Sequence, residues 1–162
     1  MLQNPPATIP NSLFLASEEA TSRLGECLAT LLRPGDSVLL DGRIGAGKTH
    51  LARAIIQARL PQREEVPSPT FTLVQTYDTP GGEIWHADLY RLSHPDEVWE
   101  LGLDDAFRTA ICLVEWPDRL GRHHPPEALH LSLREEGEGR RVRLSGGRAG
   151  LVDAVMRAFL DD

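Results

Sequence analysis

Lysine is nearly absent from this chain. Of its 17 basic residues, 16 are arginine and the one lysine is Lys48. Positive charge is also in short supply. The 24 acidic residues leave a formal net charge of −7, which argues against a broad nucleic-acid or membrane-binding face. No apolar run approaches the roughly 20 residues needed to cross a bilayer. The opening MLQNPPATIP has neither the basic n-region nor the apolar h-region of a signal peptide, so a cytoplasmic protein without a membrane partner is expected. Cysteine is limited to Cys27 and Cys112, each in an apolar setting, which reads as two buried thiols and not as a disulfide or metal pair. Repeats and low-complexity segments are missing as well.

What is present is ordinary for a globular protein: 162 residues, 41% hydrophobic and 25% charged, enough for a single domain spanning residues 1–162. The lone lysine falls in GRIGAGKT, residues 42–49, a full match to G-x-x-x-x-G-K-[ST]. Before it, SVLLD is a short apolar run suited to a buried strand. After it, Leu51, Ile55 and Ala58 recur on one helical face. The glycines thus fall between strand and helix, where backbone N–H groups can converge on an anion at a helix N-terminus. Glycine permits the positive φ and close backbone approach this needs. Lys48 offers a compact, flexible charge that a planar guanidinium does not replace. Thr49 offers a hydroxyl to Mg²⁺.

The remaining pattern predicts a three-layer α/β fold, with a mostly parallel P-loop NTPase-like sheet and antiparallel hairpin strands. SLFLA reads as a weak strand, and Ser17 as the cap of a helix running to about Leu32. TFTLVQTY and EIWHADLY form one predicted hairpin across DTPGG; ALHLSLRE and RRVRLSG form another across EGEG. HPDEVWELGLDDAF reads as helical, AICLVEW as a central buried strand, and AGLVDAVMRAFL as a closing amphipathic helix.

Two acids stand out as partners of the loop. Glu115 ends the apolar ICLVE run, as a Walker B strand ends in a carboxylate, and such strand ends border the ligand crevice. Asp88 shares a strand face with His86, which reads as a hydrogen-bonded structural histidine before a metal ligand. His123 and His124 read as loop residues. Asp78-Thr79-Pro80-Gly81 imitates a GTPase switch motif, with Thr70 or Thr72 as the switch threonine. The guanine-reading Asn/Thr-Lys-x-Asp motif cannot exist in a chain whose one lysine is Lys48, and PGG reads better as a turn. A small-molecule kinase remains open, with EWPDRLGRHH as a possible arginine-bearing lid. The mixed-charge run 134–148 reads as a solvated hairpin, with a partner-facing patch as the alternative.

Four segments in order, GRIGAGKTHLARAI, VPSPTFTLVQTY, HADLYRL with ELGLDDAF, and ICLVEWPDRLG, resemble the bacterial TsaE (YjeE) ATPases of tRNA threonylcarbamoyladenosine biosynthesis. The resemblance runs from about Leu13 to the C-terminal hairpin. It implies Mg²⁺-dependent ATP hydrolysis supporting a TsaD–TsaB complex that transfers threonylcarbamoyl to the adenosine beside the anticodon, with tRNA met only indirectly. The residues it implies for ATP are Gly42, Gly45, Ala46, Gly47, Lys48, Thr49 and His50, with Glu18 and Gly139 approaching the nucleotide. Thr49 and Glu115 would serve Mg²⁺. Glu115, Asp88 and Thr70 would carry catalysis on the γ-phosphate side, and Trp116 would flank the site. Two positions depart from the family pattern: Arg43 stands where Asp is usual, and His50 where Thr or Ser is usual.

Overall fold

The computed structural model describes residues 11–161. The N-terminal stretch lacking signal features lies outside those residues. The elements are β1 (Ser12–Leu15), α1 (Glu18–Leu31), β2 (Ser37–Asp41), α2 (Lys48–Arg59), β3 (Val74–Thr79), β4 (Gly82–Asp88), α3 (Glu97–Leu101), α4 (Leu103–Thr109) and β5 (Ile111–Glu115). They continue with a 3₁₀ segment (Pro117–His123), β6 (Leu129–Glu136), β7 (Gly139–Gly146) and α5 (Leu151–Leu160).

Seven strands form one sheet in the order β1-β7-β6-β2-β5-β4-β3. The central four, β6, β2, β5 and β4, are parallel; the two hairpins add β7 and β3 antiparallel, and β1 closes the edge against β7. The mixed sheet expected from the sequence is therefore the one observed. Alternation along β2 and β5 separates the layers. Val38, Leu40, Ile111 and Leu113 pack with α1, α2 and α5. Leu39, Cys112 and Val114 pack on the other side with Val98, Leu103, Phe107 and Leu120. Both cysteines are buried thiols outside any disulfide, and burial pushes the Cys112 thiol up to about 12. Among the described residues no helix is long and apolar enough to cross a membrane.

Local chemistry sets the element ends. Ser17 Oγ accepts from Ala20 N at 3.2 Å, capping α1 as expected. The helical stretch before β5 is broken at Gly102, whose φ of 82° turns α3 into α4. TFTLVQTY is shorter as a strand than its β-rich composition predicts. Leu73 has φ 68° and its N–H donates to Pro69 O at 2.7 Å, so residues 69–73 turn before β3 begins at Val74. EWPDRLGRHH folds as the end of β5 followed by the 3₁₀ segment. Pro117 and Leu120 are buried, and Arg122 pairs with exposed Asp96 at 3.2 Å.

Candidate functional site

The parallel strands bring their C-terminal ends to one place. β2 delivers the glycine loop, and all five residues of β5 are buried, so Glu115 arrives at the strand end only 1% exposed. The parallel register of β4 on β5 sets Asp88 beside Glu115 and His86 beside Leu113, on the face covered by α2. Buried charge at a strand end is unusual unless it is partnered, and each of these groups has a partner. Thr49 Oγ1 donates to Glu115 Oε1 at 2.7 Å, and His86 Nε2 lies 2.7 Å from Glu115 Oε2. Thr70 Oγ1 donates to Asp88 Oδ2 at 3.2 Å, while Tyr90 N donates to Asp88 Oδ1 at 3.0 Å. The turn preceding β3 is what carries Thr70 to Asp88.

The loop is closed by Ala46 N donating to Arg43 O at 3.0 Å and by Gly42 N donating to Asp41 Oδ1 at 3.0 Å. Gly42, Gly45 and Gly47 all have positive φ. Gly42 is further constrained: a Cβ there would lie 2.5 Å from the Leu133 carbonyl oxygen of β6. Lys48 is buried at 5% exposure; its Nζ donates to Gly42 O and lies 3.7 Å from the centre of the Trp116 ring. Burial holds its ammonium below the usual lysine range, with Glu115, Asp41, Asp88 and Asp118 opposing the shift. Trp116, at φ 59°, packs on Tyr90 with ring centroids 5.0 Å apart.

These groups line a cleft of about 610 Å³. Of the residues expected at the site, Gly45, Gly47, Lys48, Thr49, His50, Thr70, Asp88, Glu115, Glu18 and Gly139 line it, together with Trp116. Gly42 and Ala46 belong to the loop but do not line the cleft. His50 Nε2 lies 3.1 Å from Ser22 Oγ of α1, so this departure from the family pattern has its own partner. Arg43 is exposed at the loop tip beside Ile44, which is 76% exposed. Gly139 is glycine because a Cβ there would meet the Leu15 carbonyl and the Phe14 ring.

Sequence reasoning missed Tyr90, Arg91 and Arg140, which also line the cleft. Arg140 corrects the solvated reading of the 134–148 hairpin: its Nε donates to Ala46 O at 3.1 Å and its Nη2 to Gly45 O at 3.2 Å. Nothing in the composition of RRVRLSG distinguishes Arg140 from its neighbours. The register of β7 on β1 and β6 selects it. The GTPase-like Asp78-Thr79-Pro80-Gly81 lies at the other end of the sheet. α2 starts at the loop and runs 12 residues, about 18 Å, to Arg59, whose guanidinium packs against Gly81.

Comparison with known proteins places this chain in a family. The family model described as "Threonylcarbamoyl adenosine biosynthesis protein TsaE" matches residues 15–142. A tRNA threonylcarbamoyladenosine biosynthesis protein TsaE from Rickettsia felis is 40% identical over 151 residues, covering 91% of this chain and 88% of its own. Its counterpart of the same name from Bacillus subtilis is 34% identical over 124 residues, covering 76% and 77%. The crystal structure of Bacillus subtilis YdiB superposes with a TM-score of 0.72 at 23% identity, covering 93% of this chain and 95% of that one, which establishes the shared fold. The matched span contains every residue that lines the cleft, and the chain is accordingly a member of the TsaE family of tRNA threonylcarbamoyladenosine biosynthesis proteins.

Proposed function

We propose that this protein is a Mg²⁺-dependent ATPase whose nucleotide state governs its docking on a TsaD–TsaB complex, supporting threonylcarbamoyl transfer to the adenosine beside the tRNA anticodon. The observation that carries the reading is the Thr49–Glu115 hydrogen bond of 2.7 Å at the foot of the glycine loop. A threonine hydroxyl and a carboxylate are the hard oxygen ligands that Mg²⁺ takes. They meet where the loop's positive-φ glycines leave room for phosphate, so the residues fit the magnesium–nucleotide pair.

When bound, that pair supplies the phosphoryl group and neutralises its charge. The chain does the rest. Residues 42–49 present backbone N–H groups, and Lys48, held by the Gly42 carbonyl in this structure, is the loop's cation for phosphate oxygens. Thr49 and Glu115 hold the metal, and His86 fixes the far oxygen of Glu115. Asp88 and Thr70 are a hydrogen-bonded pair facing the γ-phosphate side, suited to orienting water. Glu18 and Gly139 line the same cleft, where they are suited to flank the nucleotide. The formal charge of −7 disfavours tRNA as a direct ligand.

The test is ATP turnover measured alone, then with TsaD and TsaB, then with tRNA, alongside binding to TsaD–TsaB in ATP, ADP and no nucleotide. Tighter docking in ATP than in ADP is expected. Equal affinity in all three contradicts nucleotide gating, since a ligand without differential affinity shifts nothing. Transfer of phosphate to an added small-molecule acceptor in place of water would favour a kinase.

A further inference from the structure

We propose that Arg140 is a positioning residue for the phosphate loop, acting from the start of β7 to hold the loop's peptide groups in their anion-receiving orientation. The inference rests on reading residues 42–49 as the phosphate site. A loop that turns its N–H groups toward an anion turns the carbonyls of the same peptides outward, and those carbonyls need donors of their own. Arg140 supplies them. Its Nε donates to Ala46 O at 3.1 Å and its Nη2 to Gly45 O at 3.2 Å, while Nη1 donates to Gly139 O at 3.1 Å and ties the head to β7. All three guanidinium nitrogens are engaged. The fork spans two consecutive carbonyls, a geometry for which a planar guanidinium is pre-organised and an ammonium is not.

The two carbonyls belong to the peptide units whose N–H groups are those of Ala46 and Gly47. A cation bonded to a carbonyl polarises its whole peptide group, so those N–H groups become better donors to an anion on the inner side. The arginine also lies close beneath the loop: a Cβ added at Gly47 would be 3.8 Å from Arg140 Nε. Arg140 pairs in register with Leu15 on β1 and Glu135 on β6, so the fork is anchored to a three-stranded corner of the sheet. Leu133, on β6 of the same hairpin, presents the carbonyl that leaves no room for a side chain at Gly42. The β6–β7 hairpin thus braces the loop at two points.

The test compares wild type, Arg140→Ala and Arg140→Lys for affinity toward ADP with Mg²⁺ and toward pyrophosphate, together with the thermal midpoint of each ligand-free protein and the amide resonances of Ala46 and Gly47. Removing a partner that orients binding groups typically costs about 10- to 100-fold. Both variants are expected to lose affinity on that scale for both ligands. The ligand-free midpoint should be little changed, and the Ala46 and Gly47 amides should shift in the direction of weaker polarisation. Should Arg140→Ala not fold, Arg140→Lys carries the same test. Full affinity in Arg140→Lys would show that a point charge suffices and overturn the fork's role. Wild-type affinity in Arg140→Ala overturns the inference and leaves the loop assignment standing. A midpoint that falls in step with affinity also overturns it, by making the arginine a general structural brace. If wild type binds neither ligand, the phosphate-site reading fails, and the inference with it.

Discussion

The two ends of the sheet each carry a short sequence that resembles a phosphate-binding motif, and they differ in what lies beneath it. At the C-terminal ends of β2, β4 and β5, residues 42–49 bring Lys48 together with Asp88, Glu115 and His86, all buried and all hydrogen-bonded. At the opposite end, Asp78-Thr79-Pro80-Gly81 is a hairpin turn. Asp78 is exposed, and Thr79 Oγ1 donates to Gly82 O at 2.5 Å across the turn itself. Burying several charged groups in one place is costly, and it is sustained only where they satisfy one another or a ligand. Partnered buried charge therefore separates the two motifs.

The largest effect expected from this contrast is at Lys48. Replacing it with alanine removes the loop's cation, and ATP turnover should fall by about 10²- to 10³-fold, the scale for losing one pre-organised charge-stabilising group. Nucleotide affinity should fall with it, while folding is retained. Asp78→Ala and Thr79→Val, measured in parallel, should keep wild-type turnover. A loss in either of those two would break the comparison and bring the hairpin turn back as a nucleotide switch.

His86 sharpens the contrast one step from the chemistry. Its Nε2 is the partner of Glu115 Oε2 in a fully buried setting. His86→Phe should leave that oxygen unpaired, at a cost of about 1–3 kcal/mol in stability. Turnover should drop about 10-fold through misplacement of the carboxylate. Urea unfolding and steady-state turnover read the two effects separately, and His86→Gln, which can still donate, should recover part of both.

Much of this site was legible in the sequence, for definite reasons. The glycine loop is contiguous, so its spacing carries its meaning. Glu115 was legible because a run of buried apolar residues leads straight to it. The Thr70–Asp88 pair is of another kind. It depends on a turn at residues 69–73 that overrides the β-propensity of TFTLV. Arg140 depends on strand register, and a one-residue slip would point it away from the loop. His86 reads from the sequence as a hydrogen-bonded residue, but its partner, 29 positions away, becomes visible only when β4 lies parallel to β5.

The smallest expected effect concerns the ligand-free protein. Burial lowers the Lys48 pKa below the ordinary 10.5, so the folded state disfavours its charged form. Between the lowered folded value and 10.5 the unfolded chain binds more protons, so this contribution to stability rises with pH across that window. Lys48→Met should therefore be slightly more stable than wild type at neutral pH. The advantage should shrink as pH rises toward 10.5, as followed by denaturant unfolding at several pH values. An advantage independent of pH would mean that packing, not charge burial, is its source.

On the proposed function, the cleft at the strand ends hydrolyses ATP through the carboxylate that terminates β5. The most direct measurement is single-turnover ATP hydrolysis by Glu115→Gln beside wild type, each with TsaD and TsaB present and with ATP binding measured on the same samples. Glutamine keeps the shape and one hydrogen-bond acceptor for Thr49, so ATP binding should persist while hydrolysis falls by about 10²-fold or more. Hydrolysis at the wild-type rate in Glu115→Gln would contradict the account and move the catalytic role to Asp88 or another acid.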